Sequence, residues 1–164
     1  MADSSETSLY SIRRATHNDV ESIVRLLADD PLGQQREQFR IPLPETYYVA
    51  FTEIDQNPCH ELVVIEINSE VVGVLQLSFL RYLTFQGGKR AQIEGVRVDR
   101  RYRSAGIGHR LFTWAIERAR QEGCHLVQLT TNKTRPEALR FYERLGFVVS
   151  HEGLKLNLAS AHST

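Results

Sequence analysis

The 164-residue sequence predicts an α/β (α+β) fold on a mixed, mostly antiparallel central sheet of about seven strands flanked by four helices. Three observations carry this. Two β-branched runs, 62–67 and 71–80, meet across Asn68-Ser69 as a hairpin. Gly87-Gly88 then turns the chain straight into a third strand, so three consecutive strands are joined by short connections. Amphipathic helical patterns interleave with the strands on both sides, and a doubly wound parallel sheet is excluded.

Residues 9–14 alternate and read as the first strand. Thr16 stands three positions before Asp19, and Val20, Ile23, Val24 and Leu27 then share one helical face. Asp30-Pro31-Leu32-Gly33 ends that helix, and a looser segment runs to Pro42 and Pro44. Tyr47, Tyr48, Phe51 and Ile54 mark a second helix, which Asn57-Pro58 stops. After the hairpin comes a strand at about 90–98. A long helix follows at 107–121, with Ile107, Leu111, Ala115 and Ala119 four apart, and Gly123 closes it. Residues 125–131 read as a strand. Residues 134–145 read as the last helix: Thr134 and Glu137 have capping-box spacing, Pro136 lies in the first turn and Gly146 terminates it. Two short closing strands are expected at 147–150 and 154–158. The domain plan is therefore a disordered tail at 1–8, a single domain at 9–158 and a polar tail at 159–164.

Composition narrows the function. Lys+Arg and Asp+Glu are both 20, so the net charge is zero, which argues against a nucleic-acid or acidic-membrane binder. No apolar run approaches the roughly 20 residues of a membrane span, and the polar start MADSSETS is not a signal peptide. Cys59 and Cys124 form no C-x-x-C motif and read as two reduced thiols, which fits a cytoplasmic protein. The six histidines show no metal-ligand spacing, so no metal is expected.

Charge is concentrated locally. Residues 89–103 hold six basic side chains (Lys89, Arg90, Arg97, Arg100, Arg101, Arg103) against Glu94 and Asp99. The run leads into a glycine-containing loop, RSAGIG, that opens a helix. Close backbone approach and the positive helix end make this an anion site suited to phosphate or pyrophosphate, although a solvated basic loop has the same composition. The dinucleotide fingerprint fails, because its third glycine is missing, and no Gly-Lys-Ser/Thr of a P-loop is present. Within strand 90–98 the apolar parity switches between Ile93 and the pair Val96, Val98, which predicts a β-bulge at Gly95. An edge strand with imperfect alternation is the plainer alternative.

The stretch Val98-Asp-Arg-Arg-Tyr-Arg-Ser-Ala-Gly-Ile-Gly108 resembles the acetyl-CoA signature of the GNAT superfamily of N-acetyltransferases, Arg/Gln-x-x-Gly-x-Gly/Ala. Ala138-Leu-Arg-Phe-Tyr-Glu-Arg-Leu-Gly-Phe147 is similar to the second signature, a helix with a Tyr ending in Gly-Phe. The resemblance spans about residues 9–158. It implies a GNAT-like fold, acetyl-CoA as cosubstrate and acetyl transfer to an amine. It assigns the diphosphate to Arg103, Ser104, Ala105, Gly106, Ile107, Gly108 and His109. The pantetheine would lie along Val96, Arg97 and Val98 as an added strand. The family often has Gly and a basic residue where this chain has Ser104 and Ala105, leaving fewer charges for the phosphates. Arg135 occupies a position where the family often has Asn, and Asn132 nearby is taken as the substitute.

A primary amine with pKa about 10 must lose a proton to attack a thioester. Glu94 is the candidate general base: it is the strand's carboxylate, adjoins Gly95 and stands four residues before Val98. It reads otherwise as a surface charge balancing the arginines. A main-chain amide near Val96 is the expected oxyanion donor. Tyr142 matches the family's proposed general acid for the leaving thiolate; otherwise it is a packing residue beside Phe141. Asp29, Asp30, Glu37 and Glu53 with Glu94 would favour a cationic acceptor. Tyr47, Tyr48 and Phe51 line a pocket or, by their spacing, a core. The partner expected is a small-molecule amine, with neither nucleic acid nor membrane, and dimers are common in the family. A peptide or protein N-acetyltransferase and a non-catalytic acetyl-CoA sensor are the alternatives.

Overall fold

Asn68 and Ser69 take φ of 49° and 64°, the left-handed pair that a two-residue hairpin turn requires. They join β2 (His60–Ile67) to β3 (Glu70–Arg81) as the sequence predicts. The protein is seen here as a computed structural model that describes residues 10–158. These divide into two compact units, one ending at Leu129 and one beginning at Thr130. The tails expected at 1–8 and 159–164, and the start of the first strand at Leu9, lie outside the described residues.

The first unit holds a five-stranded sheet in the order β1 (Tyr10–Arg14), β2, β3, β4 (Lys89–Val98), β5 (Leu126–Leu129). The first four are antiparallel to their neighbours, and β5 joins β4 in parallel. Its helices are α1 (Val20–Ala28), α2 (Pro31–Arg36), α3 (Glu45–Gln56), the single turn α4 (Thr84–Gly87) and α5 (Ile107–Gln121). The second unit contains α6 (Pro136–Arg144).

Strand alternation divides the core between two faces. Val63 and Ile65 of β2, Leu75 and Leu77 of β3, and Ala91 and Ile93 of β4 are buried on one face, where α5 packs with Leu111, Phe112, Ala115 and Ala119. On the other face Val64 and Val74 join Val20, Ile23, Val24 and Leu26 of α1 and Phe51 of α3 in a second cluster.

The structure corrects the predicted count. Five strands and six helices replace seven strands and four helices among the described residues. The stop read at residues 30–33 and the start of the loose segment after it form α2, with Pro31 in its first turn and Asp30 capping it by accepting from the Gly33 amide at 2.6 Å. Six residues are too few to show a helical period. In α4, Phe85 and Gln86 are left-handed (φ 54° and 58°), so no amphipathic pattern announced it.

Residues 147–150 and 154–158 form no strand, and Leu154 is 94% exposed. A short hairpin without a third strand or a covered face is not independently stable. The capping box expected of Thr134 and Glu137 is also absent. Arg135 is the N-cap of α6, and the Thr134 amide and hydroxyl both donate to Asn132 Oδ1 at 2.9 Å. The predicted stop is present: Gly146 has φ 92°, its amide donates to the Glu143 carbonyl, and the Phe147 amide reaches back to the Tyr142 carbonyl.

The entry to α1 is tied to the sheet by buried Asp19. Arg13 Nη1 and Nη2 hold it bidentately at 2.7 and 2.9 Å, and Arg13 Nε also donates to Glu66 at 3.0 Å. The Thr16 amide and hydroxyl complete the Asp19 shell. Arg13's hydrogen bonds, and then those of Thr16, overcome burial and lower the Asp19 carboxyl to about 2. A depressed folded-state value stabilises the fold above the unfolded value and loses that contribution as pH falls towards 2. Asp19→Asn is therefore expected to cost roughly 2 kcal/mol at pH 7, and about half of that near pH 3. Urea unfolding of both proteins at the two pH values checks this.

Candidate active site

The predicted bulge is present and sets the geometry. Between the pairs Val74–Arg97 and Gln76–Glu94, β3 advances two residues while β4 advances three. Gly95, at φ 62°, absorbs the extra residue in a conformation that strains any side-chain-bearing residue. Before the bulge Ala91 and Ile93 face α5. After it Val74 and Gln76, two apart on one face of β3, oppose Arg97 and Glu94, so those two share the α1 face although three apart. The ladder from β4 to β5 ends at the Ile93–Leu129 pair, so Val96, Arg97 and Val98 lie beyond it.

Glu94 is exposed, and its Oε1 accepts from Gln92 Nε2 at 3.0 Å. Gln92 Oε1 in turn accepts from Gln128 Nε2 at 2.7 Å. Gln92 also lies opposite Ser78, whose hydroxyl is 2.8 Å from His60 Nδ1. A strip of polar groups thus crosses four strands next to the carboxylate. Three of the carboxylates expected to draw a cationic acceptor are otherwise engaged. Asp30 pairs with Arg97 at 3.0 Å, Asp29 with Arg100 at 2.7 Å, and Glu37 accepts from the Tyr47 hydroxyl at 3.0 Å. Phe51 is buried, and Tyr47 and Tyr48 pack against its cluster, so these aromatics belong to the core.

Past Val98 the chain is anchored by Asp99, 2% exposed. Its carboxylate accepts from the Arg101 amide and side chain at 2.9–3.1 Å and from Arg25 Nη1 at 3.2 Å. Arg101 above all, then Arg25, holds this carboxyl well below the usual carboxylate range against the opposing effect of burial. Arg101 reaches on to Glu70 at the start of β3. Asp99 thereby fixes a 3-10 turn, Arg100–Tyr102, that delivers Arg103 to Gly108 to the start of α5. Ser104 and Gly106 both take positive φ, 67° and 77°, which curls the backbone into a concavity. Gly106 is the N-cap of α5 and supplies no side-chain acceptor, so the first-turn amides of Ile107, Gly108 and His109 have no side-chain cap. Ile107 is buried and roots the helix, while Arg103, Ser104, Ala105 and His109 are exposed. Arg103 Nε lies 3.5 Å from the Val98 carbonyl, and His109 Nδ1 lies 3.4 Å from the Thr113 hydroxyl.

Asn132 and Tyr142 belong to the second unit. Asn132 builds the turn before α6, while half-buried Tyr142 sets its ring edge-on to Phe141 and Phe147, with centroids 5.6 and 6.2 Å away. The polar strip escaped the sequence reading. The alternation of Arg90, Gln92 and Glu94 on β4 was its available signal.

Comparison with known proteins identifies the class. The model of the acetyltransferase (GNAT) family matches residues 22–147, more than half of the chain. The chain belongs to this family of acyltransferases, which use acetyl-CoA. It is 31% identical over 146 residues to an aminoalkylphosphonate N-acetyltransferase of Salmonella typhimurium, covering 85% of this chain and 86% of that one. It is 35% identical over 88 residues to a glucosamine 6-phosphate N-acetyltransferase of Trypanosoma brucei brucei, covering 54% and 58% of the two chains. A solved structure from Bacillus halodurans, described as a transcriptional regulator, superposes with TM-score 0.89 at 54% identity over 91% of this chain and 99% of that one.

A Cβ added at Gly106 meets nothing within 4 Å, so Gly106→Ala is charged only for its left-handed backbone, about 1 kcal/mol. Relaxation of that backbone turns amides away from the concavity. With the diphosphate where the family resemblance assigns it, loss of one amide–anion hydrogen bond is expected to weaken acetyl-CoA binding roughly tenfold. Calorimetric titration alongside thermal melting checks both effects.

Proposed function

We propose that this protein transfers the acetyl group of acetyl-CoA to the primary amine of a small molecule by direct attack, as one acetyltransferase domain. The bulge at Gly95 carries the reading. It sets Glu94 beside a strand edge that the β5 ladder leaves behind, and the amide concavity at Ser104 to Gly108 follows ten residues later. In this reading Arg103 and the amides from Ser104 to His109 hold the diphosphate, and the main chain of Val96 to Val98 holds the pantetheine. The Arg97 guanidinium stays with Asp30. Glu94 receives the amine proton, directly or through one water. The nitrogen lone pair forms the new C–N bond, and the Val96 amide donates to the carbonyl oxygen as its charge grows. Tyr142, assigned on the family resemblance alone, returns a proton to the departing sulfur. Asn132, from the same resemblance, is a weaker cofactor contact because its side-chain oxygen is already engaged by Thr134.

The curated relatives act, by their names, on an aminoalkylphosphonate and on glucosamine 6-phosphate, which favours a small-molecule acceptor over a peptide. A second reading, an acetyl-CoA-binding regulator without turnover, draws on the description of the Bacillus halodurans structure.

Thiol release from acetyl-CoA, measured against phosphonate amines, amino sugars, polyamines and peptides, separates the two readings. Glu94→Gln is expected to lower kcat about 10²–10⁴-fold with acetyl-CoA affinity unchanged. A wild-type rate in that variant overturns Glu94 as the base. Acetyl-CoA binding without release of thiol to any acceptor favours the regulator.

A further inference from the structure

Most of the basic run at 89–103 is spent on carboxylates. Lys89 pairs with Glu122 at 2.6 Å, Arg97 with Asp30 at 3.0 Å, Arg100 with Asp29 at 2.7 Å, and Arg101 with Asp99 at 2.9 Å and with Glu70. Arg103 and Arg90 pair with no carboxylate among the described residues. Arg103 opens the amide concavity. Arg90 is at the other end of β4, beyond Gln92 from Glu94.

Its surroundings are unusual for a structural arginine. The guanidinium lies 4.9 Å from the Tyr82 ring centroid and 5.2 Å from that of Phe85. Its Nε is buried and has no hydrogen-bond partner. Aromatic faces hold a guanidinium through its π surface and leave its in-plane N–H fork unspent, the arrangement that matches an oxyanion. A buried donor without a partner is unfavourable until a ligand supplies one.

Arg90, Gln92 and Glu94 share a face, as strand alternation requires before the bulge and as the Gln92–Glu94 hydrogen bond at 3.0 Å shows. Four residues of strand separate the Arg90 and Glu94 Cα atoms by roughly 13 Å. Gln92 stands at the middle of that interval, and Tyr82 and Phe85 hold the Arg90 guanidinium at its far end. Gln92 and Gln128 line it with neutral hydrogen-bonding groups.

We propose that the acetyl acceptor is a small zwitterionic amine, its ammonium held at Glu94 and a phosphoryl or phosphonyl oxyanion held by Arg90. This rests on the acetyltransferase reading above and names its substrate class. The test compares matched amines: 2-aminoethylphosphonate against propylamine, and glucosamine 6-phosphate against glucosamine. In the wild type, kcat/KM is expected to be at least tenfold higher for the oxyanion-bearing member of each pair. Arg90→Met is expected to collapse that ratio towards one through KM, and Arg90→Lys, which keeps the charge, to retain part of it. Thermal melting of each variant confirms folding. Equal use of the paired amines by the wild type, or an undiminished ratio in Arg90→Met, overturns the proposal while leaving acetyl transfer intact. Binding is read separately by NMR of the Arg90 Nε–H. A saturable shift with 2-aminoethylphosphonate but not propylamine supports the oxyanion site at Arg90 even if no amine turns over, an outcome that overturns the acceptor role together with acetyl transfer. No shift overturns the proposal.

Discussion

One extra residue in β4 is the constraint from which the site follows. A strand cannot present residues three apart on one face unless its period is broken, and the left-handed Gly95 breaks it between Glu94 and Arg97. Both side chains then stand on the α1 face. Arg97 reaches Asp30, the residue that caps α2, so the bulge also fastens the helix that follows α1. The same change of phase carries Val96 and Val98 to the opposite face, where the sheet is no longer paired to β5. Without the added residue, Glu94 and Arg97 would fall on opposite faces and the Asp30 contact would be lost.

The concavity at the start of α5 depends on a second device, a buried carboxylate. Asp99 gathers Arg25 from α1 and Arg101 from its own turn, and Arg101 continues to Glu70 at the head of β3. Three elements distant in sequence therefore meet where the loop leaves the sheet. Removing Asp99 would release Arg25 and Arg101 together, a larger loss than breaking any single exposed pair. This anchoring lets Ser104 occupy a left-handed conformation that a free loop would relax, a strain of about 1–2 kcal/mol.

Much of this was legible in the sequence because the signals were local. The Asn68-Ser69 turn, the period of α5, the Gly146 stop and the parity switch at Gly95 each depend on residues within a few positions of one another. Where the reading failed, the deciding fact was remote or too short to show a period. Six residues of α2 and the left-handed turn α4 have no periodicity to detect. Residues 147–158 alternate like strands, but alternation cannot supply a ladder partner. Thr134 has the spacing of a capping residue, yet Asn132, two positions earlier, captures its amide and hydroxyl. The charge run at 89–103 was visible as a sum, whereas its division into paired and unpaired cations was not. Asp30 stands 67 positions before Arg97, and nothing in the local pattern joins them.

The hydrogen-bond direction in the polar strip joins the two halves of the site. An ionised carboxylate only accepts, so Gln92 must turn its NH2 group towards Glu94, which leaves its carbonyl facing β5. Gln128 answers with its own NH2 at 2.7 Å. Because an amide side chain has one donating and one accepting end, this order cannot be reversed while Glu94 carries its charge. The orientation of Glu94 therefore depends on the parallel register that sets Gln92 beside Gln128, one residue before that ladder stops at Ile93 and Leu129. A slip of one residue in β5 would turn Gln128 to the α5 face and release Gln92. The ladder that ends early enough to leave the β4 edge open thus also runs far enough to hold the carboxylate beside it.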